Sequence, residues 1–227
     1  MKRFISIILF SLCILANSAS AYIQNVWLPD GSADGIKWVP GGKADEAYFS
    51  ADGDLVYRLI TDGSFAIPSE SYESAIMQGF LSWQEIETAT ISFERGKDIT
   101  SDSAEGFSLG FTDADGNTQW GNNLAGVAEA GRCLYSYSGS ELVDADISLR
   151  ANDVASDDVD FSTDGSTGLD VENVAMHEIG HAVGLGHSSH PQSEMSYVGS
   201  WEGTAQNSTG GRSPGRADRI GVRVIYP

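Results

Sequence analysis

Eleven residues, His177-Glu178-Ile179-Gly180-His181-Ala182-Val183-Gly184-Leu185-Gly186-His187, restrict what this chain can fold into more than any other stretch. His177 and His181 are four apart, so on a helix they stand one turn apart on the same face. Glu178 projects from that helix beside the first of them. Gly184 lets the backbone leave the helix abruptly, through a φ that a side chain resists. The chain can then bring His187 round to the same point. Three neutral imidazoles leave the fourth position of a tetrahedral zinc ion open for water, which separates a catalytic zinc site from a closed structural one. Glu178 is placed to activate that water as a general base.

Every histidine of the chain lies in this region, as His177, His181, His187 and His190. With His at about two per cent of residues in general, a chance match to the full pattern is on the order of one in 10⁵. Coincidence is therefore set aside. His190 follows in a Ser-Ser-His-Pro turn and reads as a surface residue.

The first residues read as an export leader. Lys2 and Arg3 make a positive start, Phe4 to Leu15 an apolar run, and Ala19-Ser20-Ala21 a small-residue cleavage site before Tyr22. The run is too short to span a bilayer, and no second one follows. A signal peptide over 1–21 predicts a secreted, extracellular protein without membrane insertion, a periplasmic location being open as well. The formal charge is −19 and grows more negative once Lys2 and Arg3 leave. That balance repels nucleic acid and anionic membranes and excludes both as partners. Past the leader Cys133 is the only cysteine, so no internal disulfide can form. Two roles are open to it: a thiolate that ligates zinc and keeps the site latent, or an inert buried thiol in the strand around Arg132-Cys133-Leu134.

Residues 22–54 are rich in Gly and Asp, with Trp27 and Trp38 as isolated anchors, and read as an N-terminal arm or short pro-like segment. Residues 55–227 read as one domain without internal repeats. Leu55 to Ile60 is apolar and β-prone, a first strand. After Pro68, Tyr72, Ile76, Phe80, Trp83 and Ile86 recur at helical spacing and form a core-facing stripe. Further strands are expected at Ile91–Phe93, Phe107–Phe111, Gly126–Tyr137 and Asp144–Leu149. The loop Thr112 to Asn123 contains Asp113-Ala114-Asp115-Gly116-Asn117, which opens like a calcium loop but has Leu124 where the closing Glu would stand. Calcium and a plain turn are both open there. Asp170 is expected to cap the histidine helix over Val171 to Val183. A final helix, about Pro214 to Ile225, is expected to bury Ala217, Ile220 and Val224.

From Leu55 onward the chain resembles the metzincin zinc metalloproteases, most closely the catalytic domain of the matrixins, as a secreted bacterial representative. The residues that carry the likeness are His177 to His187, Ser188 after the third His, and Met195 eight residues past it, where matrixins place their Met-turn. Phe80-Leu81-Ser82-Trp83-Gln84 is similar to their first-helix signature. Asp218-Arg219-Ile220-Gly221-Val222 with Ile225-Tyr226 is similar to their closing helix. The resemblance implies an α+β (α/β) zincin fold: three helices and a twisted sheet of about five strands, four parallel and one an antiparallel edge. Three departures stand out. Gly126 and Asp146 lie near where two ligands of a structural zinc would fall, which predicts one zinc, not two. No cysteine-switch segment precedes the domain. The turn reads Ser193-Glu194-Met195-Ser196-Tyr197 and resembles that of astacins and serralysins, whose Tyr can ligate the metal. Tyr197 is then either an extra ligand or transition-state stabiliser, or a wall of the specificity pocket.

The expected protein is a monomeric, secreted zinc endopeptidase acting on protein or peptide substrates. His177, His181 and His187 hold one catalytic Zn²⁺, Glu178 is the catalytic base, Met195 floors the site, and Ca²⁺ is a further candidate ion. Two other readings stay open. One is a processing protease with a narrow substrate; the other is an extracellular binding module that keeps zinc for stability alone.

Overall fold

The computed structural model describes residues 35–60, 69–99, 107–111, 130–150, 161–164, 169–188, 190, 192–196 and 211–227. Alternation of side chains sets the first strand, β1 (Leu55–Leu59), where Leu55, Tyr57 and Leu59 are buried and Val56 and Arg58 are half-buried. Parallel partners flank it: β2 (Phe93–Arg95) on one side and β3 (Phe107–Phe111) on the other. β3 in turn pairs in parallel with β5 (Glu141–Leu149), and β4 (Gly131–Ser138) closes the sheet antiparallel to β5. The order is β2-β1-β3-β5-β4. Four parallel strands with one antiparallel edge is the arrangement the resemblance implied.

The register aligns one buried layer across the sheet, with Tyr57 opposite Phe107 and Phe107 opposite Ala145. Parallel β1 and β2 need a crossover, and α1 (Ser69–Gln84) supplies it. Its stripe behaves as read: Tyr72, Ile76, Phe80 and Trp83 are buried, as is Ile86 just beyond its end. Phe80 stacks on Tyr57 with ring centroids 3.7 Å apart and meets Phe107 edge-on at 5.4 Å. This aromatic stack fixes α1 to the sheet.

A short parallel ladder, β6 (Phe161–Ser162) with β7 (Leu169–Asp170), leads into α2 (Val171–Ala182). Every residue of α2 is buried, because α1 packs on one side and β4 and β5 on the other. A helix buried all round must account for each polar side chain it carries. Upstream, Ile36 and Trp38 also lie in the core, and Lys37 bridges to Glu141 at the start of β5.

Some expectations shift. The second strand is Phe93–Arg95 rather than Ile91–Phe93, and the strand expected from Asp144 begins at Glu141; β4 is described from Gly131, the stretch 126–129 lying outside the described residues. The last helix, α3 (Arg216–Ile225), buries Asp218, Gly221, Val222 and Ile225. Ala217 and Ile220 are only half-buried, and Val224 is 53% exposed. The helix is turned toward a face centred on a carboxylate because Asp218 anchors another segment of the chain.

Candidate metal centre

The helix that carries the motif is fastened at its start by charge. Asp170 caps it, accepting from the Asn173 amide at 2.9 Å, and also pairs with the Arg212 guanidinium. Arg212 reaches Glu172 in the first turn as well, at 3.3 Å. Midway along, the Trp83 indole of α1 donates to the Met176 carbonyl at 2.9 Å, so the residue before the first histidine cannot shift without breaking a buried bond.

The three imidazoles of the motif converge. His187 Nε2 lies 3.2 Å from Nε2 of His177 and 3.2 Å from Nε2 of His181. Backbone carbonyls fix the other ring nitrogens: His177 Nδ1 donates to Glu194 O at 2.7 Å and His181 Nδ1 to Leu185 O at 2.9 Å. A carbonyl can only accept, so Nδ1 carries the proton on both rings and Nε2 presents its lone pair. A tetrahedral zinc ion with bonds of about 2.0–2.1 Å separates its nitrogens by about 3.4 Å. The donor set and its spacing suit one such ion. Among the described residues these three form the one cluster of His, Cys, Asp and Glu that could hold a metal.

Electrostatics keep the rings neutral. Burial pushes His177 down to about 4, despite its bond to the Glu194 carbonyl. Burial also takes His181 well below its usual value, with the other two imidazoles adding to the effect, and lowers His187. A neutral imidazole is the form that ligates a metal. His187 is exposed whereas His177 and His181 are buried, so the cluster opens to solvent on that side.

Glu178 is 7% exposed and lies against β4, where a Cβ at Gly131 would stand 2.9 Å from its Cγ and 3.1 Å from Oε1. Cys133 is two residues further along β4, outside the metal-capable cluster. Burial first, then the charge of Glu178, push its thiol well above the usual range, which is the behaviour of an inert thiol.

The turn Ser193–Ser196 underlies the histidines. Met195 is 1% exposed, and its sulfur lies where a Cβ on Gly180 would be, which accounts for the glycine inside the helix motif. Asp218 of α3 holds this turn. Its carboxylate accepts from the Glu194 amide at 2.7 Å, from the Met195 amide at 3.4 Å and from the Ser193 hydroxyl, while also accepting from Gly215 N at 2.8 Å. The Ser188 amide donates to Met195 O at 2.6 Å and ties the turn to the residue after His187.

Sequence reading named Asp218 only as part of a helix signature. Its position three residues past Gly215, where a capping acid stands, was the available signal. Asp146 is on β5, directly opposite Leu134 of β4 and Ser108 of β3, and is outside the metal-capable cluster. His190 is exposed, as its turn suggested. Tyr197, the loop 112–123 and Gly126 lie outside the described residues.

A sequence model of the family described as matrixin matches residues 48–226. Over 79 residues the chain is 40% identical to matrix metalloproteinase-25 of Mus musculus, which covers 34% of this chain and 12% of that protein. Over 127 residues it is 32% identical to metalloendoproteinase 2-MMP of Arabidopsis thaliana, covering 56% of this chain and 31% of that protein. The chain thus spans less than a third of the length of either relative.

Proposed function

The chain belongs to the matrixin family, and on that premise we propose that it is an exported zinc endopeptidase cleaving internal peptide bonds of proteins outside the cell. The observation that carries this reading is the convergence of three Nε2 atoms whose rings are held neutral and correctly tautomeric by backbone carbonyls. His177, His181 and His187 would hold the ion. Bound there, zinc supplies Lewis acidity, lowering the pKa of water and polarising a scissile carbonyl.

The chain's own residues do the rest. Glu178 takes the proton of the attacking water and returns it to the leaving amine, so that one carboxylate serves as base and then acid. Among the described residues β4 is the edge of the sheet, and an extended peptide would pair along it as a further strand. Such pairing fixes the substrate backbone and leaves side-chain preference to the pockets beyond it. Met195 floors the site without touching the metal. Tyr197 belongs to this proposal as an extra ligand or a donor to the developing oxyanion, or else as a wall of the specificity pocket. A monomeric state completes it, with Ca²⁺ a further candidate ion.

The test is cleavage of a generic unfolded protein by the purified chain, with and without a zinc chelator, beside the Glu178→Ala variant. The expected result is chelator-sensitive cleavage that vanishes in the variant while one zinc per chain is retained. Loss of zinc from that variant would reassign Glu178 as a ligand. Zinc bound without any cleavage would overturn the broad endopeptidase and leave a narrow processing protease, a masked cleft or a binding module.

A further inference from the structure

The zinc helix ends in a turn whose carbonyls are all accounted for. Gly184 sits at φ +97°, and the Leu185 amide bonds back to Gly180 O while the Gly184 amide bonds to His181 O, both at 2.9 Å. This is the pattern by which a left-handed residue closes a helix. It leaves the last two helical carbonyls, Ala182 O and Val183 O, buried and in need of donors. Two side chains remote from the helix along the chain supply them. The Trp38 indole Nε1 donates to Ala182 O at 2.9 Å, and the Tyr226 hydroxyl donates to Val183 O at 3.1 Å. The same hydroxyl accepts from the Trp38 amide at 3.1 Å, so the two residues are also joined to each other.

The fit around the turn is close. Trp38 is 4% exposed and Tyr226 6%, and a Cβ on Gly184 would collide with the Ile36 carbonyl. Lys37 is in turn tied to the β4–β5 hairpin, donating to Ser140 O at 3.0 Å and accepting from the Leu142 amide at 2.8 Å. Beyond the turn, Leu185 O is the acceptor that orients His181, and His187 follows two residues later. The direction in which the chain leaves the helix therefore determines where the third imidazole stands. Trp38 lies ahead of the segment that matches the family model.

We propose that Trp38 and Tyr226 are positioning residues of the metal centre, a latch at the helix exit that sets how tightly His181 and His187 hold the ion. The inference rests on the zinc reading given above. It makes the stretch around residues 36–38 part of the metal scaffold, so trimming past Trp38 weakens zinc binding.

The experiment uses the full chain with Tyr226→Phe and Trp38→Phe, each of which keeps a ring and removes one hydrogen bond donor. Zinc affinity is read by competition with a chromophoric chelator, melting temperature is read with and without zinc, and amide exchange is read at Gly184 and Leu185 in the metal-free protein. The expected result is a zinc dissociation constant raised about tenfold, the low end of what outer-sphere partners contribute, with faster exchange at those two amides. Metal-free and zinc-bound melting temperatures falling equally, with the zinc constant unchanged, would reduce the pair to plain fold stability and overturn the proposal. Should Trp38→Phe fail to fold, Tyr226→Phe decides. A parent chain that binds no zinc would sink the zinc reading itself, and this inference with it. Parent binding with variant affinity unaltered sinks only the latch.

Discussion

Replacing Asp218 by Asn separates two jobs that one carboxylate performs. One oxygen accepts from Gly215 N at 2.8 Å and Glu194 N at 2.7 Å, and the other from the Ser193 hydroxyl and Met195 N. Asn keeps one acceptor oxygen and turns an NH₂ group toward donors that need an acceptor. The Ser193 hydroxyl can accept from that NH₂ and the Met195 amide keeps Ser193 Oγ at 3.2 Å, so the change removes about one charge-assisted bond at a residue 1% exposed. Such a bond is worth about 1–3 kcal/mol, so a loss of about that much unfolding free energy is expected. For a chain of this size that is a fall of roughly 2–12 °C in melting temperature.

The second effect is on the metal. The turn that Asp218 holds supplies the Glu194 carbonyl that orients His177 at 2.7 Å. Loosening it should lower zinc affinity about 10–100-fold. Urea unfolding of the metal-free variant reads the first effect, with the midpoint moving at constant slope. A competition titration at a temperature where both proteins are folded reads the second. Stability lost with zinc affinity intact would refute the reasoning that the turn positions His177. A variant as stable as the parent would refute the bonds themselves.

Other expectations follow from single contacts. Burial and then the neighbouring Asp144 carboxylate push Asp146 up to about 7, so the native state stays protonated there while the unfolded chain ionises near 4. Stability should fall as pH rises from about 4 to 7, and Asp146→Asn should remove that slope and be more stable than the parent at pH 8. Urea midpoints across pH check this, and parallel curves for the two proteins would rule it out. Gly131→Ala should push the Glu178 carboxylate aside, since the added Cβ would stand 2.9 Å from its Cγ and 3.0 Å from Val174 Cγ1. Turnover should drop about 10–100-fold with zinc affinity kept, and an unchanged kcat would mean that Glu178 yields without harm.

The histidine cluster was legible because every part of it is written in side-chain letters at a helical period. His177 and His181 share a face, and a glycine stands where the chain must turn. The stripe from Tyr72 to Ile86 was legible for the same reason. What fixes the site was harder to read. The acceptors that set the ring tautomers are the carbonyls of Glu194 and Leu185, and a carbonyl leaves no mark on the sequence. Asp218 and Trp38 act on segments 24 and 144 positions away, beyond any local period. The face of α3 was misread because an apolar stripe through Ala217, Ile220 and Val224 assumes that an aspartate points to water. Here the aspartate is the buried anchor, and Val224 takes the solvent side.

The scaffold of this site is assembled from pieces that are remote along the chain but share one fastening principle. α2 alone could present His177 and His181, yet neither ring would keep its orientation without a carbonyl from the turn at Glu194 or the exit at Leu185. Neither of those loops is held by its own residues only. α3 pins one through Asp218, and Trp38 and Tyr226 pin the other. Such an arrangement cannot open locally at modest cost, because freeing a ligand breaks bonds that also join α3 and the N-terminal stretch to the core. A ligand that binds only the native form adds its binding free energy to the cooperative unit that must unfold to release it. On this reasoning metal retention and global stability would be coupled through backbone carbonyls, by way of Asp218, Trp38 and Tyr226, none of which would touch the ion.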